Sequence, residues 1–256
     1  MSEKIFEAIA SGHTALGIEL GSTRIKSVLI DKNHNILANG VYEWENSFEN
    51  GLWTYRLEDA VSGLQASYAD LAAEVKEKYG VVLRKIGAVG ISGMMHGYLA
   101  LDSENRQLAP FLTWRNTNTT RAAAELTELF NFNVPLRWSI SQLYEAILEG
   151  QSHVEKVNYI TTLAGYIHLL LSGQRVLGIG EASGMFPIDS YAGNFDSEML
   201  DKFTALIADR GYGWNIRDIL PKVLKAGESA GCLTKEGALL LDPSGNLEAG
   251  IPMAPP

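Results

Sequence analysis

Apolar positions alternate through Leu16, Ile18 and Leu20 and again through Ile25, Ser27 and Leu29, with Val28 and Ile30 on the other side. This pattern predicts two strands buried on both faces, joined by the tight turn Gly21-Ser22-Thr23. A DKNHN turn then leads into a third strand over residues 36–42, giving an antiparallel meander. The period changes at Leu57: Val61, Leu64, Tyr68, Leu71 and Val75 continue one helical stripe, which Gly80 stops. A new strand over 86–92, mixed apolar and glycine, suits a central position beside the first. Residues 98–101 and 110–114 read as strands or extended segments, 119–130 and 140–148 as helices, and 153–161 show no clear period. A buried helix over 164–171 ends at Ser172-Gly173, and residues 176–186 form a glycine-rich passage. An amphipathic helix over 197–209 follows, then a small peripheral β-α element beyond Pro221. The closing IPMAPP reads as the entry to another strand.

This order of elements describes an α/β fold behind a short N-terminal extension, with length for one large domain or two small ones. The 256 residues, 46% of them hydrophobic, supply a sizeable core. A formal net charge of −9, with no lysine or arginine cluster, argues against a nucleic-acid surface, so any phosphate is met locally. The single cysteine, Cys232, forms no internal disulfide or multi-thiolate metal site and fits a packing role in a reducing cytoplasm. The first residues lack the apolar stretch of a signal peptide, and the most apolar helix is broken by Thr161, Thr162, Gly165 and His168. These features predict a cytoplasmic protein without a membrane partner.

Three segments carry candidate chemistry. In LGIELGSTRIKSVLID, Glu19 lies at the mouth of a turn whose Gly21, Ser22 and Thr23 offer backbone N–H groups and hydroxyls to an anion, with Lys26 nearby. The same residues also describe a plain β-hairpin with a solvated lysine. In Gly93-Met94-Met95-His96-Gly97, a turn at a strand end, His96 suits a hydrogen bond to a ligand hydroxyl or a satisfied loop position, and the methionines suit packing or the apolar face of a sugar. Trp114-Arg115-Asn116 combines an aromatic platform with hydrogen-bonding groups, a mix suited to a polyol and equally to a capped helix start. Residues 90–94 miss a serine nucleophile elbow by having methionine in the last position. Residues 178–184 miss a dinucleotide fingerprint by one residue and by the absence of a suitable preceding strand, which leaves Glu181 as a hydroxyl ligand or a surface acid in a flexible passage. No transition-metal ligand pattern occurs.

Taken in order, GIELGSTRIK, AVGISGMMHG, residues 110–114 with their polar exit, and GEASGMFPID resemble the N-terminal half of the FGGY carbohydrate kinases, most closely the xylulokinase branch. The resemblance implies one domain over residues 13–256, with 1–12 as an N-terminal extension, and a ribonuclease-H-like fold of the actin, hexokinase and heat-shock-chaperone type, a mixed sheet flanked by helices. It also implies a sugar bound between two such domains, with ATP and Mg²⁺ held mainly by the second. Carried over by position, Glu19 takes the opening acidic place, orienting Mg²⁺ through water. Gly21, Ser22, Thr23 and Lys26 take the phosphate turn, and Met95, His96, Trp114, Arg115, Asn116 and Glu181 the sugar contacts. The family usually has aspartate where Glu19 and Glu181 stand, a polar residue at Met94, and asparagine then aspartate where Arg115 and Asn116 follow Trp114.

The family's general base is an aspartate just beyond the region matched by IPMAPP. The resemblance therefore implies that this chain is the sugar-binding half, inactive alone, with a C-terminal ATP-binding domain as its missing partner. A pentulose such as xylulose, or a related polyol, is the expected acceptor, and a homodimer is among the compatible assemblies. The alternative is a non-catalytic sugar-binding or regulatory module on the same fold, which the departures at Glu19 and Asn116 favour. A third reading, ATP hydrolysis without a sugar acceptor, ranks last.

Overall fold

A computed structural model describes residues 2–256; Met1, part of the expected extension, lies outside the described residues. The extension contains a helix, α1 (Ser2–Ala10), whose Ile9 is buried. Next come β1 (Thr14–Leu20), β2 (Arg24–Asp31) and β3 (Ile36–Glu43), the expected meander. A small hairpin follows, β4 (Ser47–Glu49) with β5 (Leu52–Thr54), and then the long helix α2 (Leu57–Tyr79). The chain crosses over through α2 to β6 (Ala88–Gly93), which pairs parallel with β1. The main sheet runs in the order β3-β2-β1-β6.

Helix α2 carries Glu58 and Asp59 in its first turn and Lys76 and Lys78 in its last, each sign matching the nearby end of the helix dipole. Gly80 ends it in the left-handed conformation, φ 68°, with its N–H bonded to the Lys76 carbonyl. Leu57, Leu64, Tyr68, Leu71 and Val75 are buried against the sheet. At Gly40 of β3 the helix lies directly on strand backbone, because a Cβ there would collide with the Ser67 carbonyl. The buried hydroxyls of Ser27 and Ser67 satisfy each other at 2.9 Å.

Burial of β1 and β2 on both faces is not observed. Leu16, Ile18, Leu20, Ile25, Ser27 and Leu29 are buried under α2, whereas Gly17, Glu19 and Lys26 on the other face are exposed and Val28 and Ile30 half-buried. The alternation marks a sheet covered on one side.

Beyond β6 the chain forms β7 (Leu99–Leu101), α3 (Thr120–Phe130), α4 (Ser139–Leu148) and β8 (Tyr159–Thr161), with β7 and β8 antiparallel. Residues 110–114 contribute just a bridge between Leu112 and Tyr98. Helix α5 (Leu163–Ser172) leads to β9 (Val176–Gly178) and the single turn α6 (Ile179–Ala182). A buried strand therefore does precede the glycine-rich passage, too short for apolar periodicity to reveal. The ribbon of β10 (Ile188–Asp189) and β11 (Asn194–Phe195) follows, then α7 (Ser197–Leu206), α8 (Ile216–Ile219), β12 (Lys222–Leu224) and α9 (Lys235–Leu241). The last β-α element is less peripheral than expected: β12 pairs with β9, and Leu241 of α9 is fully buried. Cys232, expected to pack, is a free, exposed thiol.

Among the described residues two large hydrophobic cores form, with a small third cluster of Val176, Leu224 and Ala230. One lies between the main sheet, α2, α5 and α9, and the other gathers Tyr98, Leu126, Leu143, Ile160, Phe186 and Phe203 around α3, α4 and α7. At the C-terminal end the backbone enters the sheet as IPMAPP predicts. Val89 N–H donates to the Pro252 carbonyl and Ala254 N–H to the Val89 carbonyl, both at 2.9 Å, with Val89 and Met253 as a parallel bridge. Among the described residues no helix is long and apolar enough to cross a membrane.

Candidate functional site

The Gly21–Thr23 turn is held from behind. Gly21 N–H donates to the Arg24 carbonyl at 2.9 Å, closing the bend. The Trp44 indole N–H donates to the Gly21 carbonyl and the Tyr55 hydroxyl to the Ser22 carbonyl, both at 2.7 Å. Carbonyl and N–H of one trans peptide point in opposite directions. Pulling the two carbonyls toward the aromatic pair therefore turns the N–H groups of Ser22 and Thr23 outward. Both residues are exposed, and neither amide finds a partner among the described residues. The cavity in front, about 630 Å³, is lined by Glu19, Ser22, Thr23, Lys26 and Trp44 among others. Two free amides, two hydroxyls and one ammonium suit an oxyanion. Glu19 and Lys26 pair at the cavity wall, Nζ to Oε2 3.5 Å. Among the described residues no three metal-ligating side chains converge, so a cation here would rest on Glu19 and its ligand's own oxygens.

Strand β6 ends beside this turn, with Met94 N–H donating to the Leu20 carbonyl. The chain then bends through His96 at φ 68° and Gly97 at φ 94°. A non-glycine residue in that region is uncommon and needs support. The support is visible: Gly97 N–H donates to the Arg137 carbonyl at 3.2 Å, and the Ser139 hydroxyl donates to the Gly97 carbonyl. His96 Nδ1 lies 3.3 Å from the Gly184 carbonyl, where a larger residue than glycine would meet the ring. Burial holds the His96 pKa below the usual 6.5; the Gly184 bond opposes this and the nearby Arg137 charge reinforces it. The neutral ring donating from Nδ1 to Gly184 leaves Nε2 as an acceptor for a hydroxyl.

Ser22, Met94, Met95, His96, Trp114 and Arg137 line a second cavity of about 280 Å³. Met95 and Trp114 are 41% and 44% exposed, an apolar floor left open to a ligand. Ser22 lines both cavities, so the oxyanion turn and the polar-aromatic pocket meet at one residue.

The structure does not bring all expected sugar contacts into this pocket. Asn116 is buried, its amide oxygen accepting from Trp53 N–H and its amide nitrogen donating to the Trp53 carbonyl, each at 2.8 Å. It serves β5 as a missing strand neighbour would. The Arg115 guanidinium stacks 3.6 Å over the Trp53 ring and bonds Asn46. Glu181 sits in α6, is half-buried, and is not among the residues lining the pocket. Its Oε1 is buried without a partner, and burial pushes its pKa up to about 7 although Thr162 pulls the other way. Arg137, Trp44 and Tyr55, which complete the site, went unread in the sequence; the one local signal was a basic residue set among the apolar positions ahead of α4.

Residues 14–253 match the model for the N-terminal domain of the FGGY family of carbohydrate kinases. The chain is 24% identical over 237 residues to a xylulose kinase of Lactococcus lactis subsp. lactis (strain IL1403), an alignment covering 86% of this chain and 43% of that protein. Among solved structures, a xylulose kinase from Rhodospirillum rubrum aligns with TM-score 0.78 and 18% identity over 94% of this chain and 49% of the other. A gluconate kinase from Lactobacillus acidophilus aligns with TM-score 0.76 and 17% identity, again over 94% of this chain and 46% of the other. These two likenesses show the fold, the actin and hexokinase type. The chain spans less than half the length of the curated relatives it matches.

Proposed function

Because this chain belongs to the FGGY family of carbohydrate kinases, we propose that it is the sugar-binding half of an enzyme that moves the terminal phosphoryl group of ATP to a sugar hydroxyl. The acceptor is a pentulose such as xylulose or a related polyol. The observation that carries this reading is the meeting of the two cavities at Ser22. Phosphoryl transfer is mostly positioning and charge stabilisation, so donor anion and acceptor hydroxyl must lie side by side.

In this reading the Ser22 and Thr23 amides and Lys26 hold the donor's terminal oxyanion. Glu19 orients its cation through water, and ATP with Mg²⁺ supplies the activated phosphoryl group. His96 accepts from a sugar hydroxyl through Nε2, and Met95 and Trp114 pack on the C–H face. In this reading the other half of the enzyme supplies the general base, and the sugar-binding half does not turn over alone. The test is to give the full-length protein ATP and a panel of ketoses and sugar alcohols and to measure ADP. Release no faster than with ATP alone for every acceptor would overturn the proposal.

A second reading, a sugar sensor without catalysis, is favoured by the Glu19–Lys26 ion pair, which occupies both charges needed for the donor. Calorimetry showing sugar binding by a full-length protein that never consumes ATP would select it.

A further inference from the structure

Arg137 is a charged side chain that neither the fold nor the phosphate turn uses. Arg106, Arg121 and Arg217 each hold a carboxylate, whereas the Arg137 side chain forms no ion pair among the described residues. It is exposed and lines the small cavity. Its root is fixed, because its carbonyl accepts the Gly97 N–H and ties it to the His96 turn. No carboxylate lines that cavity, and the imidazole beside the guanidinium is held neutral. The pocket therefore presents one unbalanced positive charge in a chain of net charge −9.

A neutral polyol needs hydrogen-bond donors and acceptors but no cation. A guanidinium offers a planar fork that fits the two oxygens of a carboxylate. We infer that the sugar taken by this pocket carries a carboxylate, and that Arg137 is the specificity residue that reads it while His96 receives a hydroxyl. The inference rests on the sugar-kinase reading of the same pocket and, within it, favours a sugar acid over the neutral pentulose as the acceptor. Met95 and Trp114 offer the carbon chain of such an acid an apolar floor beside the guanidinium.

The test is calorimetry on the full-length protein with matched acid and neutral ligands of one carbon chain, xylonate against xylitol and gluconate against glucitol, with xylulose and xylulose 5-phosphate alongside. The acids are expected to bind roughly 10- to 100-fold more tightly than their neutral partners, the range of a charge-assisted contact. That advantage should shrink as salt is raised, because an exposed pair is screened. Arg137→Met should collapse the difference, and Arg137→Lys, which keeps the charge but not the fork, should retain part of it. Equal affinity for acids and neutral polyols, or an acid preference that survives Arg137→Met, overturns the inference while ADP formation with a neutral ketose leaves the kinase reading standing. Tighter, Arg137-dependent binding of the sugar phosphate overturns the carboxylate assignment. No binding of any of these with no ADP formed overturns both readings.

Discussion

Glu19 and Lys26 are direct partners across the β1–β2 ladder, with Lys26 Nζ 3.5 Å from Glu19 Oε2. Both side chains are about half exposed, so the pair is a solvent-screened contact of small stability. Its position is what matters: the carboxylate and ammonium stand beside the Gly21–Thr23 turn and line the same cavity, and in the proposed function both serve the donor.

Glu19→Gln is therefore expected to lower ADP formation by the full-length protein by about 100-fold, the scale of removing one aimed electrostatic group. Sugar affinity should stay unchanged. Lys26→Met should have a smaller effect of about 10-fold on the same assay. A parallel loss of sugar binding in calorimetry would mean that the pair holds the turn together instead.

His96→Asn keeps a residue that tolerates the left-handed backbone at this position but removes the imidazole acceptor. Sugar Kd should rise about 10-fold with the melting temperature nearly unchanged. Unaltered Kd would remove His96 from the site.

Glu181→Gln should stabilise the protein at alkaline pH. The folded carboxyl has its pKa raised from 4.5 to about 7, so the folded state retains a proton the unfolded state has released, and stability falls as pH rises through that interval. At pH 8 the gain is on the order of 1–3 kcal/mol, and it shrinks toward pH 5. Melting curves at the two pH values check it, and an equal gain at both would show that the charge is not the cause.

The histidines act in the opposite sense. His96, His153 and His168 all have pKa values lowered from 6.5, chiefly by burial. Their contribution is complete above the unfolded value and lost as pH falls through it, because the unfolded state takes up protons first. His168, whose Nε2 bonds the Ala230 carbonyl and whose Nδ1 is buried without a partner, is the cleanest case. The melting temperature should drop from pH 7.5 to pH 5, and His168→Gln should flatten that slope.

Asn116→Asp tests the structural role of that residue. A carboxylate can accept from Trp53 N–H but cannot donate to the Trp53 or Thr113 carbonyls, which the amide nitrogen now serves. The expected loss is about 1–3 kcal/mol at neutral pH, partly recovered as acid protonates the new group. A selective loss of sugar affinity at full stability would return Asn116 to the pocket.

Local pattern made the scaffold legible. The meander, α2 from Leu57 to its stop at Gly80, and the return of β6 to a place beside β1 follow from periodicity and helix stops that neighbouring residues carry themselves. The three-residue strands β8 and β9 are too short to show a period, and they exist because β7 and β12 lie beside them. The open face of β1 and β2 was misread because Val28 and Ile30 are apolar yet only half-covered. At the candidate site, sequence located the bend and His96 because glycines mark a tight turn at a strand end, which the structure places beside two cavities. Arg137 comes from a different segment, and Asn116 looks identical in sequence whether it faces a ligand or the backbone of Trp53.

Trp44 and Tyr55 reach the oxyanion turn through single polar atoms, one indole nitrogen and one phenol oxygen. Tyr55→Phe would delete one oxygen and leave the ring in place, yet the Ser22–Thr23 peptide would be free to crank about its own axis. An acceptor lone pair would then occupy the place of a donor hydrogen. Genetic damage at position 55 would masquerade as a lesion in the chemistry, inflicted on a residue that lines neither cavity.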